Sequence, residues 1–128
     1  MTIKSSQTLI KEALNQIKTI TPEEALKKNN NNECNLIDIR DDNELEKEGR
    51  IENSIHMSRG LLEFSIHPES VLVKKEKLDL NKEIVLFCAA GGRSALAAKT
   101  LKDMGFEKVS HVDGGFRLMQ NSGFKVIK

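Results

Sequence analysis

The chain of 128 residues contains no tryptophan and no tyrosine, and only two prolines and two cysteines. Cys34 and Cys88 are too few for a disulfide framework, so both are expected to be reduced thiols in a cytoplasmic protein. His56, His67 and His111 show no zinc-ligand spacing with either cysteine, and no metal site is expected. Apolar runs are short, far below the length of a membrane span. The first residues carry Lys4, Lys11 and Glu12 and no signal-peptide core, which argues against secretion. Neither sign of charge dominates: 20 Lys and Arg face 19 Asp and Glu, for a net charge of +1. The lysines are dispersed, so the sequence carries no footprint for nucleic acid.

What is present points to one domain with a core large enough to fold without staples. Its most informative stretch surrounds Cys88. The strand-forming run Ile84-Val85-Leu86-Phe87 leads into Cys88-Ala89-Ala90-Gly91-Gly92-Arg93-Ser94, after which a helical pattern begins. A helix N-terminus offers unpaired N–H groups and partial positive charge, so it lowers a thiol's pKa and holds an anion. The paired glycines let the backbone turn tightly and approach a bound sulfur or oxygen.

Along the chain, Leu9, Ile10, Ala13, Leu14 and Ile17 form one stripe of a helix over 6–18. Thr21-Pro22-Glu23-Glu24 reads as the start of a second helix, to about Lys28. A strand over 35–39 ends in Asp38 and Arg40, and a helix capped by Asp41 or Asp42 runs to Glu48, where Gly49 stops it. A short strand over 54–57 and a helical turn over 59–64 follow. Residues 67–82, including the run Lys74-Lys75-Glu76-Lys77, read as an irregular, solvated connection. After the strand at 84–87 come a helix over 94–104, a strand over 109–112, the turn Asp113-Gly114-Gly115 and a last helix ending near Gly123. The alternation predicts a mostly parallel sheet covered on both faces. Sites in such sheets lie at the C-terminal ends of strands, where Asp38–Arg40, the Cys88 loop and Asp113–Gly115 all fall.

Taken in order, several segments carry a family resemblance: Leu36-Ile37-Asp38-Ile39-Arg40, Glu44, Gly49-Arg50-Ile51, Asn53 to Met57, Arg59-Gly60, Glu63-Phe64, Cys88 to Ser94, Gly114-Gly115 and Gly123. Residues 19–127 thereby resemble a rhodanese-type sulfurtransferase domain. The resemblance implies an α/β fold with a five-stranded, mostly parallel sheet and helices on both faces. It implies a domain over 19–128, with residues 1–18 as an added N-terminal helix. It also implies a Cys88 persulfide that carries a sulfane sulfur, with no cofactor. Arg50 departs from the family's usual His, and Met119 from the Trp that commonly follows the Gly-Gly pair.

The implied chemistry is a two-step transfer through Cys88. The donor would be thiosulfate or another persulfide, and the acceptor a thiol or protein of thioredoxin or glutathione type. A persulfide is anionic and easily oxidised, so the loop from Ala89 to Ser94 must solvate it with N–H donors and shield it partly. The structural alternative is a buried, inert cysteine. Cysteine phosphatases have a similar loop but place the Cys and Arg one residue further apart, which disfavours phosphatase activity here. Arg93 is expected to attract the anionic donor, to fix the loop by a salt bridge, or both. Ser94 is expected to open the helix. Asp38 and Arg40 read as a clasp between loops, and Arg59 as a supporting residue near the mouth of the site. Cys34 lies at the far end of its strand and reads as a bystander. A rival reading keeps the fold but makes the chain a sulfur carrier or anion-binding module with little turnover. The neutral Ala89 and Ala90 give that rival some weight, because cations there would recruit a dianionic donor better.

Overall fold

The computed structural model describes residues 2–76 and 78–128. Its centre is a five-stranded sheet of β1 (Lys18–Ile20), β2 (Cys34–Asp38), β4 (Ile55–His56), β5 (Glu83–Phe87) and β6 (Val109–Val112). The spatial order is β1-β6-β5-β2-β4, and every pairing is parallel. A separate antiparallel ribbon joins β3 (Arg50–Ile51) to β7 (Val126–Ile127). The helices are α1 (Ser6–Leu14), α2 (Pro22–Asn30), α3 (Asp42–Glu48), α4 (Leu62–Ser65), α5 (Val71–Glu76), α6 (Gly92–Met104) and α7 (Gly115–Met119). Among the described residues, no helix is long and apolar enough to cross a membrane.

Alternation along the strands divides the apolar side chains between two faces. Ile37, Ile84 and Leu86 pack with Ala97, Ala98 and Leu101 of α6 and with Leu62 and Val73. Leu36, Val85 and Phe87 pack on the other face with Ala25 of α2 and with Phe116 and Met119 of α7. Both faces of the central strands are therefore covered, which explains why these strands read as continuous apolar runs.

The helix starts follow their sequence signals. Thr21 accepts from the Glu24 amide at 3.1 Å while the Glu24 carboxylate accepts from the Thr21 amide at 3.2 Å, a reciprocal capping box. The Asp41 amide likewise donates to Glu44 at 3.0 Å. Two expectations are corrected. The first helix ends at Leu14 rather than at residue 18, because the Asn15 amide turns back to the Glu12 and Ala13 carbonyls. The β-branched Thr19 and Ile20 then pair with His111 and Val112 on β6, where strand geometry suits them better. The connection over 67–82 contains α5, whose Val73 amide is capped by the Ser70 hydroxyl at 3.2 Å. Lys77, the end of its lysine-rich run, lies outside the described residues. The β3–β7 ribbon was not expected at all, since strands of two residues carry no readable periodicity.

Candidate active site

Asp38 pairs with Phe87, and Leu86 with His111, so the C-terminal ends of β2, β5 and β6 form one rim. Cys88 leaves that rim and begins the turn into α6. Gly91, at φ +110, takes a backbone conformation that side chains rarely adopt, and this folds the loop back over the sulfur. Gly115, at φ +54, meets the loop from the β6 side: a Cβ there would collide with the Cys88 carbonyl oxygen and lie 2.9 Å from the Ala89 carbonyl carbon. The Phe116 amide donates to the Cys88 carbonyl at 2.8 Å and the Arg117 amide to that of Ala89 at 3.1 Å. The start of α7 thus anchors the outer backbone of the loop and leaves its amides turned inward.

Two of those amides reach the sulfur: Gly91 N–H at 3.1 Å and Ser94 N–H at 3.4 Å. The Ser94 hydroxyl lies 3.5 Å from Sγ. Helix α6 begins at Gly92, so Ser94 is its third residue rather than its first, and both its amide and its hydroxyl face inward. Burial pushes the Cys88 thiol up, but hydrogen bonds from the Ser94 hydroxyl and the Ser94, Gly91 and Ala90 amides outweigh it, and the net direction is down. Cys88 is only 1% exposed, more deeply covered than the partial shielding expected from the sequence. Ala90 is exposed at the crown of the loop, and Ala89, Gly91 and Gly92 are partly exposed.

Arg93 points to Glu44 of α3 and makes a two-pronged ion pair, with N–O distances of 2.7 and 2.9 Å. That hydrogen bond holds the Glu44 carboxyl down at about 2 and pushes the guanidinium further up. Cys88 also contributes to the rise at Arg93, so the cation feels the sulfur's charge. Asp38 and Arg40 form a wholly buried pair, with Arg40 Nη2 2.8 Å from Asp38 Oδ2 and 2.9 Å from the Gly49 carbonyl. The Arg40 guanidinium carbon sits 3.9 Å from the centroid of the Phe116 ring. The clasp thus ties β2, the end of α3 and the start of α7 together without touching the sulfur. Arg59 bonds Glu63 at 2.9 Å and Thr100 of α6 at 3.3 Å, which braces the 59–63 turn against that helix. Cys34 pairs with Glu83 at the opposite end of the sheet, and burial pushes its thiol up to about 11.

Three partners of this site escaped the sequence reading. Glu44 is part of the family resemblance, but its sequence position signals no role. His111 and Thr19 extend the polar contacts of Ser94: His111 Nδ1 lies 2.9 Å from Ser94 Oγ, and His111 Nε2 lies 2.9 Å from Thr19 Oγ1. A histidine on the short strand β6, all four residues of which are buried, was the available signal.

Comparison with known proteins bears on the family and the fold. The Rhodanese-like domain family model matches residues 21–122. The putative sulfurtransferase YtwF of Bacillus subtilis is 40% identical over 83 residues, which are 65% of this chain and 70% of that protein. The chain spans 40% or less of the length of several further curated relatives, one of them named a putative sulfur carrier protein. Among solved structures, RPA3614 of Rhodopseudomonas palustris is 37% identical with a TM-score of 0.86, over 99% of this chain and 98% of that one. It is described as a protein of unknown function and a possible tyrosine phosphatase. The polysulfide-sulfur transferase homodimer of Wolinella succinogenes is 34% identical with a TM-score of 0.74, over 94% of this chain and 85% of that one. With its matching family model, its parallel α/β sheet and its cysteine loop, the chain belongs to the rhodanese-like domain family.

Proposed function

We propose that the chain is a sulfurtransferase in which Cys88 carries a sulfane sulfur between a donor and a thiophilic acceptor. The carrying observation is the convergence of the Gly91 and Ser94 amides on Cys88 Sγ. With thiosulfate, the Cys88 thiolate attacks the outer sulfur. A new S–S bond forms, the S–S bond within thiosulfate breaks, and sulfite leaves with the electron pair. The acceptor then attacks the outer sulfur of the persulfide, and the Cys88 thiolate departs with the pair from the S–S bond. No net oxidation occurs at Cys88. The inward amides stabilise the sulfur anion at both stages, and fixed donors supply that charge stabilisation without reorganising. Arg93 lies close enough to sense the Cys88 charge and would attract the anionic donor, while Glu44 holds it in place.

A phosphatase reading is less well supported. Four residues separate Cys88 from Arg93, one fewer than in the cysteine phosphatases, so the loop encloses a smaller ring than a tetrahedral phosphate needs.

The test is steady-state thiosulfate:cyanide transfer by the wild type and by Cys88→Ser, with intact-mass measurement after donor treatment. Turnover that disappears in Cys88→Ser, with a gain of about 32 mass units on Cys88, supports the enzyme (the mass is that of one sulfur atom). A persulfide that forms only from a protein donor supports the carrier. A wild type that gains no sulfur from thiosulfate, polysulfide or a protein persulfide overturns both.

A further inference from the structure

The single hydroxyl hydrogen of Ser94 has three competing acceptors. They are Cys88 Sγ at 3.5 Å, His111 Nδ1 at 2.9 Å and the Gly91 carbonyl at 3.2 Å. Which one takes it depends on the imidazole. Ser94 is fully buried and His111 is 2% exposed, so water is not a free substitute partner for either. The other ring nitrogen is held by Thr19 on the exposed edge strand β1.

We propose that His111 is a positioning residue whose tautomer, read through Ser94, is coupled to the ionisation of Cys88, with Thr19 anchoring the far side of the ring. This rests on the reading of Cys88 as a reacting thiolate. With the proton on Nδ1, the ring donates to Ser94 Oγ, the Ser94 hydrogen is free to point at the sulfur, and the Thr19 hydroxyl donates to Nε2. With the proton on Nε2, the ring donates to Thr19, and Nδ1 draws the Ser94 hydrogen away from the sulfur. Loss of the thiol proton thus passes along the chain in balanced steps. The sulfur's proton moves to Ser94 Oγ, that hydroxyl's own proton to His111 Nδ1, the Nε2 proton to Thr19 Oγ1, and a Thr19 proton to water. One proton leaves, no bond to carbon changes, and nothing is oxidised. His111 does not touch Sγ, so it acts only through Ser94.

The charged groups that bear on the relay include Asp113, Arg93 and Glu44. Burial pushes the His111 ring down while Asp113 pushes it up, with a net downward shift that favours the neutral ring over which tautomers can exchange. Arg93, engaged by Glu44, is the cation that senses the Cys88 sulfur. The Thr19 anchor precedes the first residue matched by the family model, so the chain's N-terminal segment supplies it.

The tautomer of a histidine ring is read directly from its nitrogen chemical shifts, so the first test uses the ¹⁵N-labelled wild type. As pH rises through the Cys88 ionisation, followed in parallel by the rate of iodoacetamide alkylation at Cys88, the ring is expected to pass from Nε2–H to Nδ1–H. The second test compares alkylation pH profiles. His111→Gln alone is expected to cut the thiolate fraction at neutral pH roughly tenfold, one unit in thiol pKa. In a Ser94→Ala background the same change should alter it less than about twofold, because coupling through a shared partner is non-additive. A wild-type ring that stays in one tautomer while Cys88 ionises overturns the proposal, as does a His111→Gln effect of equal size in both backgrounds. Either result leaves sulfur transfer intact. Failure of Cys88 to load sulfur would instead overturn the transferase reading.

Discussion

The hydrogen bonds that bring the Cys88 thiol down come from residues within six positions of it. Ser94 contributes both an amide and a hydroxyl, so Ser94→Ala should move the alkylation midpoint upward, towards the ordinary thiol value of 9.0. A shift of about one to two units corresponds to the loss of one hydrogen bond to a charged acceptor. A midpoint that does not move would remove the hydroxyl from that role. Arg93→Lys replaces a two-pronged contact with a single point charge. It should leave the fold intact and lower thiosulfate kcat/KM by about tenfold, because a lysine holds the Glu44 carboxylate by one contact and fixes its charge less firmly for an incoming anion. Glu44 gives a prediction with a defined sign. Its carboxyl falls from the ordinary 4.5 to about 2, so its pairing adds stability that is fully present above pH 4.5. Denaturant melts of wild type and Glu44→Gln should differ most above that pH, and the gap should close as pH falls towards 2.

At the level of elements, the loop depends on what packs behind it. Gly115→Ala would drive a methyl group into the Cys88 and Ala89 carbonyls from a backbone of positive φ. We expect a loss of about 2 kcal/mol or more in stability, the cost of overpacking plus backbone strain, and slower Cys88 alkylation. Normal stability and reactivity in that variant would mean the loop is not braced by α7. The strand-loop-helix unit was legible because all its signals are contiguous: an apolar run, a cysteine, two glycines and a cation. The capping box at Thr21 was legible for the same reason, whereas the cap of the next helix stayed between Asp41 and Asp42. The partners that complete the site were not, because they meet by register rather than by sequence. Thr19 and His111 are 92 positions apart, and Glu44 and Arg93 are 49 apart. Ile17 belonged to the apolar stripe and does reach the core, but from the turn into a strand rather than from a helix.

For the molecule as a whole, β2 and β5 are shared by both apolar layers, so neither layer can open without exposing the other. Leu101 on one face and Phe116 on the other are both fully buried. Alanine at either should cost about 2–5 kcal/mol. Both variants should still unfold in a single transition, as small domains do. Trapping of Cys34 in a Cys88→Ser background gives an independent probe, since that thiol lies in the Phe116 layer and is pushed up to about 11. Its denaturant midpoint should coincide with that of far-UV circular dichroism. A separate, earlier exposure of Cys34 would reveal a layer that comes apart alone.

The margins of the sheet have a consequence of their own. One outermost strand is three residues long and bears Lys18, and the other has just two residues. A neighbouring molecule therefore finds too few free backbone groups in a row to graft itself on, and a lysine interrupts the longer of the two stretches. Concentrated samples should resist fibril growth by edge-to-edge annealing, and thioflavin fluorescence should stay flat below the melting range.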